Sequence, residues 1–210
     1  MSGSVRVGID FDNTIASYDE LMLEKAIGWG LLAPDQCKGK REVRDQLRRL
    51  PDGELHWRKL QTYAYGEGMV RAKPNEGVRE FLFFCAINGI PVWIVSHKTE
   101  FNNLGPPTVN FRKAASTWLF EQGFFDEKTT GLTPERVFFE STREEKVARI
   151  ASLAPTHFID DLEETFLEPG FPACVSKIHY LPNGEKSCLA DAVHAPSWSE
   201  ITKYIQSSRG

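Results

Sequence analysis

Short apolar segments that alternate with helical stretches are the feature that most constrains the fold of this chain. Helix-like sequence, with apolar residues recurring every three or four positions, separates the segments from one another. Such alternation predicts parallel strands joined by helices that cover both faces of the sheet. The sequence therefore predicts an α/β fold built on a doubly wound parallel sheet, with strands at residues 7–9, 91–96, 136–140, 156–161 and 174–181.

A long helical insertion separates the first two predicted strands. Three helices are predicted before the next core helix at residues 76–88, and they occupy residues 18–32, 42–50 and 54–65. Connections in α/β folds usually have only about 2–6 residues. The insertion therefore predicts a small helical cap at residues 16–73, carried by a core made of residues 1–15 and 74–210.

Composition argues against several classes of protein. A net charge of −4 is unlike the basic surface of a nucleic-acid-binding protein. The longest apolar run, at residues 81–87, is far shorter than the roughly 20 residues of a membrane helix. No signal peptide is visible, and the four cysteines are widely spaced without a CxxC pair, so reduced thiols in a cytoplasmic protein are expected. The composition gives no oligomeric state.

Carboxylates and a hydroxyl follow three of the predicted strands. Asp10 and Asp12 end the first strand and point the same way, because side chains alternate along a strand. Ser96 ends the second strand, and Asp160 and Asp161 end a later one. Ligands of parallel sheets bind at the carboxyl ends of the strands. Two readings follow: a solvated turn that caps a helix, or a site for a metal ion and acid–base chemistry.

Four segments, taken in order, resemble the motifs of the haloacid dehalogenase-like superfamily of phosphohydrolases. The stretch "DFDNT" at residues 10–14 matches DxDx[TV] after an apolar strand. Ser96, in "VWIVS", matches a Ser or Thr that closes the second strand, and Lys146, in "TREEKVARI", matches the third motif. The pair Asp160 and Asp161, in "HFIDD", matches the acidic fourth motif. The resemblance covers residues 5–165 and implies a Rossmann-like core.

Two departures from the family pattern stand out. The fourth motif is "IDD" and not GDxxxD, so Asp161 must serve in place of a more distant acid. Lys98 and Lys113 compete with Lys146 for the third motif. Lys146 is favoured because it lies 160 − 146 = 14 positions before Asp160, which lets one helix and one strand return it to the same edge.

The resemblance implies Mg²⁺ as the cofactor, with Asp10, Asp12 and Asp160 as its ligands. Asp10 would also attack phosphorus and form an aspartyl-phosphate. Asp12 would bind the metal through its main-chain carbonyl, and its carboxyl group would act as general acid and then as general base. The dehalogenases of the family lack this second Asp, because a leaving halide needs no proton.

The remaining implied roles concern the phosphoryl group and the second metal shell. Ser96 and Lys146 would hold the equatorial phosphoryl oxygens, where transition-state charge is spread. Asp161 would hold either a metal-bound water or Lys146.

Three further residues are candidate substrate contacts. Asn13 lies in the first motif, and His97 and Lys98 directly follow Ser96, although the pair could equally face solvent as part of a loop.

Basic residues of the predicted cap admit two interpretations. Arg41, Arg44 and Arg48 share one face of the predicted helix, opposite Val43 and Leu47. That face is either an outer surface in solvent or a partial lining of the cleft that attracts an anionic substrate.

The sequence thus predicts a Mg²⁺-dependent phosphatase. A small cap favours a small phosphorylated metabolite as substrate, such as a sugar, polyol, amino-alcohol or nucleotide phosphate, with neither nucleic acid nor membrane as a partner. One alternative is a phosphotransferase or mutase that uses the same phosphoaspartate. Another is a non-catalytic binding protein on the same fold.

Overall fold

A six-stranded parallel sheet forms the centre of the protein. The structure, a computed structural model, describes residues 4–37, 39–102, 104, 109–184 and 186–209. The strands are β1 (Val7–Ile9), β4 (Val92–His97), β5 (Val137–Glu140), β6 (His157–Asp160), β7 (Ser176–Tyr180) and β8 (Ala192–Ala195). Their order in the sheet is β5-β4-β1-β6-β7-β8, and every neighbouring pair is parallel. The predicted parallel sheet is confirmed.

Helices cover both faces of this sheet. The helices that connect or follow the sheet strands are α4 (Val78–Ile87), α5 (Phe111–Glu121), α6 (Glu127–Thr130), α7 (Arg143–Leu153), α8 (Glu163–Leu167) and α9 (Trp198–Ser207). One apolar cluster joins Ile9 and Ile94 to helices that include α4 and α9, and it contains the buried Trp198. A smaller cluster on the other face joins Phe158 to Ile150 of α7. The predicted doubly wound architecture is confirmed.

Three helices precede α4 in the segment that joins β1 to β4. They are α1 (Asp19–Gly28), α2 (Lys40–Leu47) and α3 (Gly53–Tyr65), followed by a 3₁₀ turn at Glu67–Arg71. A short antiparallel pair, β2 (Ala16–Ser17) with β3 (Lys73–Pro74), stands where this segment begins and ends. The division into a core and a cap stays a prediction.

The predicted extent of the first helix is wrong. It was expected over residues 18–32, but α1 ends at Gly28. Gly30 has a φ of 70°, and the Leu31 N–H donates to the Ala26 carbonyl while the Gly30 N–H donates to Ile27. This is a Schellman-type end, which glycine adopts without the steric penalty of a Cβ atom.

Gly8 lets the central strand approach its neighbour closely. A Cβ atom at this position would lie 2.5 Å from the Phe158 ring on β6. A side chain here would therefore displace the Phe158 ring or push apart β1 and β6, the two strands whose carboxyl ends carry Asp10 and Asp160.

Two further observations complete the fold. The strand β8 and the short helices α6 and α8 were not predicted from the sequence. None of the helices in the described residues is long and apolar enough to span a membrane.

Candidate active site

The three central strands bring the predicted site residues to one edge of the sheet. The neighbours of β1 are β4 and β6, in a register that aligns Ile9 with Ile94 and Ile159. Asp10 follows directly, and its N–H donates to the Ile159 carbonyl at 2.8 Å. The carboxyl ends of parallel strands coincide in such a sheet. Residues far apart in the chain therefore meet there.

Three carboxylates form a compact acidic cluster at this edge. One oxygen from each of Asp10, Asp160 and Asp161 lies within 4.8 Å of the others. Asp10 is 4% exposed, and Asp160 is completely buried. Clustered carboxylate oxygens are the donors that a hard divalent cation such as Mg²⁺ prefers, so these residues fit a metal ion. The side chain of Asp12 lies outside this cluster, although the metal role expected of Asp12 uses its main-chain carbonyl.

Lys146 lies between two of these acids. Its Nζ donates to Asp10 Oδ1 and to Asp160 Oδ2, each at 2.6 Å, from a side chain that is 3% exposed. Helix α7 presents Lys146 in its first turn. This turn is fixed by a capping box, in which Thr142 accepts from the Glu145 N–H and the Glu145 carboxylate accepts from the Thr142 N–H.

The other two lysines predicted as competitors take different positions. Lys113 is exposed on α5. Lys98 is buried, and its Nζ lies 2.9 Å from Asp12 Oδ1 and 4.4 Å from the centre of the Tyr65 ring. Lys98 therefore sits at the acids together with Lys146, whereas Lys113 does not.

A buried tyrosine holds the same oxygen of Asp12. The Tyr18 hydroxyl donates to Asp12 Oδ1 at 2.6 Å. Burial raises the pKa of Tyr18 well above its usual value, and the Asp12 charge adds to this effect, so the hydroxyl stays a donor. Sequence reasoning missed both Tyr18 and Tyr65, because neither lies in a motif and their contacts form only in the folded chain.

Burial and charge together set the ionisation of the cluster. Burial raises the pKa of Asp10 to about 7, even though the Lys146 ammonium opposes the increase. Burial also raises the pKa of Asp161 well above its usual value, against the opposing charge of Lys40. Burial lowers the pKa of Lys146, but the two flanking carboxylates outweigh burial and hold it above its usual value. The lysine thus stays charged and partly neutralises the acids.

Two buried hydrogen-bond donors at the site lack partners among the described residues. They are the Ser96 hydroxyl and the Lys98 ammonium, whose contact with Asp12 is close but not aligned as a hydrogen bond. Buried polar groups in folded proteins are almost always paired. Both groups therefore have donors available to a ligand at this edge.

The two other predicted substrate contacts differ in position. Asn13 has a left-handed backbone, with φ of 64°, and its Oδ1 has no hydrogen-bond partner within the described part of the chain. His97 is exposed at the end of β4, and its Nε2 lies 3.1 Å from the Ser141 carbonyl oxygen. Asn13 lines the same cavity as Asp161, whereas the Nε2 atom of His97 is engaged by the Ser141 carbonyl.

A cavity of about 390 Å³ adjoins the acidic cluster. It lies between α2 and the sheet edge, and its lining includes Asn13 and Asp161. From α2 it receives Arg41 and Arg44, whereas Arg48 pairs with Glu54 through an Nε–Oε2 contact of 2.7 Å. The predicted basic face of this helix is thus divided between the cavity and the outer surface.

Comparisons with known proteins identify relatives in structure only. No protein-family model matches the chain, and no curated protein matches it. A HAD family hydrolase from Deinococcus radiodurans, solved with bound phosphate and sodium, is similar over 99% of this chain and 97% of its own, with 15% identity and a TM-score of 0.61. HAD denotes haloacid dehalogenase.

Two further solved structures show the same architecture. One is a phosphoserine phosphohydrolase-like protein from Francisella tularensis. The alignment covers 96% of this chain and 99% of that protein, with 12% identity and a TM-score of 0.58. An L-2-haloacid dehalogenase covers 97% of this chain over 100% of its own, with 13% identity and a TM-score of 0.52. At these identities the similarity establishes the fold: this chain has the α/β fold of the haloacid dehalogenase-like hydrolases.

Proposed function

We propose that this protein is a Mg²⁺-dependent phosphatase that hydrolyses a small phosphate monoester through an aspartyl-phosphate. The observation that carries the proposal is the arrangement of Asp10, Asp160 and Lys146, with two 2.6 Å contacts that join a buried lysine to two buried acids. Beside them, the unpartnered Ser96 hydroxyl offers a hydrogen bond to an anion. Acids for a cation and donors for a phosphoryl group thus occur together.

A metal ion would be held by the carboxylates of Asp10 and Asp160 and by the main-chain carbonyl of Asp12. When bound, Mg²⁺ would neutralise the negative charge of the phosphate and of the acids, so that an anionic nucleophile can approach. Asp161 would orient water on the metal or hold Lys146.

The chemical steps use the carboxylates of Asp10 and Asp12. A carboxylate oxygen of Asp10 attacks phosphorus, and the ester P–O bond breaks as the departing alkoxide takes a proton from Asp12. Asp12, now a carboxylate, removes a proton from water. That water attacks the phosphorus of the aspartyl-phosphate, and the bond to Asp10 breaks to release inorganic phosphate.

Three side chains would bind the phosphoryl oxygens during these steps. Ser96 and Lys98 have unpartnered donors, and Lys146 already reaches the nucleophile. Charge on the equatorial oxygens is best stabilised by donors that are fixed before the reaction, and burial fixes all three.

Asp12 favours phosphate esters over haloacids as substrates. The fold is shared with a dehalogenase, so the choice of reaction depends on residues and not on architecture. An alkoxide is a poor leaving group and needs a proton, whereas a halide does not. The buried Tyr18 hydrogen bond to Asp12 supports a defined role for this carboxyl group.

A direct assay with a matched pair of variants tests the proposal. Hydrolysis of p-nitrophenyl phosphate and a panel of phosphate monoesters is measured with MgCl₂ and with EDTA, for wild type, Asp10→Asn and Asp35→Asn. Asp35 is exposed and far from the motifs in the sequence, so its variant should retain activity. Asp10→Asn loses the attacking charge and should lose activity.

The outcome that contradicts the proposal is equally specific. Activity of Asp10→Asn within about tenfold of wild type would be a barrier change of only about 1.4 kcal/mol, which is too small for loss of the nucleophile. Adding an acceptor alcohol to the same assay tests phosphoryl transfer, which would appear as a phosphorylated acceptor in place of inorganic phosphate.

A further inference from the structure

We infer that the cavity beside the acidic cluster binds the leaving group of the substrate, and that this leaving group carries a second anionic group, a carboxylate or a phosphate. The inference rests on the proposed phosphatase function, because it needs a phosphoryl group at Asp10. It adds the chemistry of the part of the substrate that departs.

The cavity is placed and sized for a leaving group. Its lining includes Asn13 and Asp161, the residues that directly follow Asp12 and Asp160 in the chain. A molecule with its phosphoryl group at the acids can therefore extend into the cavity. At about 390 Å³ it falls within the roughly 300–1,000 Å³ of small-molecule sites. The buried Trp57 supplies an apolar wall.

Helix α2 presents a row of cations to this cavity. Lys40, Arg41 and Arg44 all line it, and at 3.6 residues per turn their side chains leave the helix within an arc of about 100°. The adjoining face carries Val43 and Leu47, which are completely buried. The apolar face therefore fixes the rotation of the helix and directs the basic face to the cavity.

Acidic residues also line the cavity. They neutralise part of its positive charge, and they engage the three cations to different extents. The Asp19 carboxylate accepts from the Lys40 main-chain N–H at 2.8 Å and from the Asn183 side chain at 3.1 Å, so it joins α2 to the core. Burial acts to lower the pKa of Lys40, but Tyr65 and the Asp161 carboxylate hold this pKa above its usual value, so the ammonium already has partners. Glu42 is exposed.

Arg41 and Arg44 have guanidinium N–H groups without hydrogen-bond partners among the described residues. Arg41 has no hydrogen bond or ion pair with any residue that the structure describes. Arg44 uses its Nε for Asp45 at 2.8 Å, and no contact of its two terminal nitrogens is found in that part of the chain. A guanidinium presents five N–H donors in a fork that matches a carboxylate or a phosphate. A second anionic group on the substrate is the ligand that these donors fit.

The test uses pairs of phosphate esters that differ in one anionic group. The carboxylate pair is glycerol 3-phosphate and 3-phosphoglycerate, and the phosphate pair is glucose 6-phosphate and glucose 1,6-bisphosphate. We expect kcat/KM to be higher by about tenfold or more for the second member of at least one pair. The pair that shows the preference identifies the anionic group.

Matched arginine variants locate the preference. Arg44→Gln and Arg41→Gln should raise KM for the preferred ester by about tenfold while leaving p-nitrophenyl phosphate nearly unchanged. Arg48→Gln is the control, because Arg48 directly follows the same helix but pairs with Glu54 at the surface. Unchanged p-nitrophenyl phosphate activity also shows that each variant is folded.

The failures of the two proposals can be told apart. Wild-type protein that hydrolyses no phosphate ester refutes the phosphatase function itself. Wild-type protein that hydrolyses p-nitrophenyl phosphate but shows no preference within either pair overturns only the present inference. So does a preference that Arg41→Gln and Arg44→Gln reduce no more than Arg48→Gln does, because the arginines would then be part of a solvated face.

Discussion

Replacing Lys146 with methionine should destabilise the metal-free protein more than almost any other single substitution at the site. The lysine makes 2.6 Å contacts with both Asp10 and Asp160, and all three side chains are at most 6% exposed. Methionine fills similar volume without the charge. The variant therefore leaves two buried carboxylates close together with no cation between them.

The expected size of the effect follows from this burial. Removing one partner of a buried ion pair costs about 3–5 kcal/mol, because the charge left behind is uncompensated. For a protein of 150–250 residues each kcal/mol lowers Tm by about 2–4 °C, so the loss corresponds to roughly 6–20 °C. Mg²⁺ binds only the folded site and can replace the missing positive charge. Adding Mg²⁺ should therefore raise the Tm of the variant and reverse much of the lowering.

The assay is a melting series at pH 8, above the pKa of about 7 that burial gives Asp10, with EDTA and with 10 mM MgCl₂. Lys113→Met is the matched control, because Lys113 is an exposed lysine and a competing candidate for the same motif. A Lys146→Met variant that melts within about 2 °C of Lys113→Met in EDTA would refute the reasoning. A lowering of Tm in Lys146→Met that MgCl₂ does not reduce would also refute the reasoning.

Two further predictions concern acid–base chemistry. Asp12→Asn should slow glycerol 3-phosphate hydrolysis by about 10²-fold or more but affect p-nitrophenyl phosphate far less, because a phenolate needs little protonation; equal losses would contradict the general-acid role. Burial lowers the pKa of His157, so the folded protein binds this proton less readily than the unfolded chain, and stability is lost as pH falls below about 6.5. The free energy of unfolding is measured by urea titration at several pH values between 7 and 5. It should fall less steeply with decreasing pH in His157→Gln than in wild type, whereas His194→Gln, a change at an exposed histidine, should follow wild type. Equal slopes in the two variants would contradict the assignment of this pH dependence to His157.

The sheet was predictable because its strands are short apolar runs bounded by polar residues. Runs such as "VWIVS" and "HFID" leave few alternatives once helices separate them. The strand β8 was missed because Ala192–Ala195 is short and places an exposed histidine between small residues. Its pairing with β7 exists only in the folded sheet. Edge strands of this kind carry little local signal.

The candidate site was predictable where it depends on strand ends and not where it depends on the inserted helices. Asp10, Ser96 and Asp160 each lie at the carboxyl end of one of the central three strands, within one residue of its last position, so topology alone brings them together. Lys40 and Tyr65 reach the same place from α2 and α3, and no periodicity in those helices fixes how they pack on the sheet. Their contribution therefore required the structure.

The contacts of Asp12 link the inserted helices to the proposed chemistry. Its Oδ1 accepts from Tyr18, directly before α1, and lies beside Lys98, whose ammonium rests on the ring of Tyr65 at the end of α3. Both ends of the α1–α3 segment thus contribute to the surroundings of one oxygen of Asp12, Tyr18 directly and Tyr65 through Lys98. With Oδ1 engaged, Oδ2 would be the oxygen that exchanges a proton in the proposed reaction. Any change in how these helices pack would therefore alter the environment of the carboxyl group to which the proposal assigns acid–base chemistry.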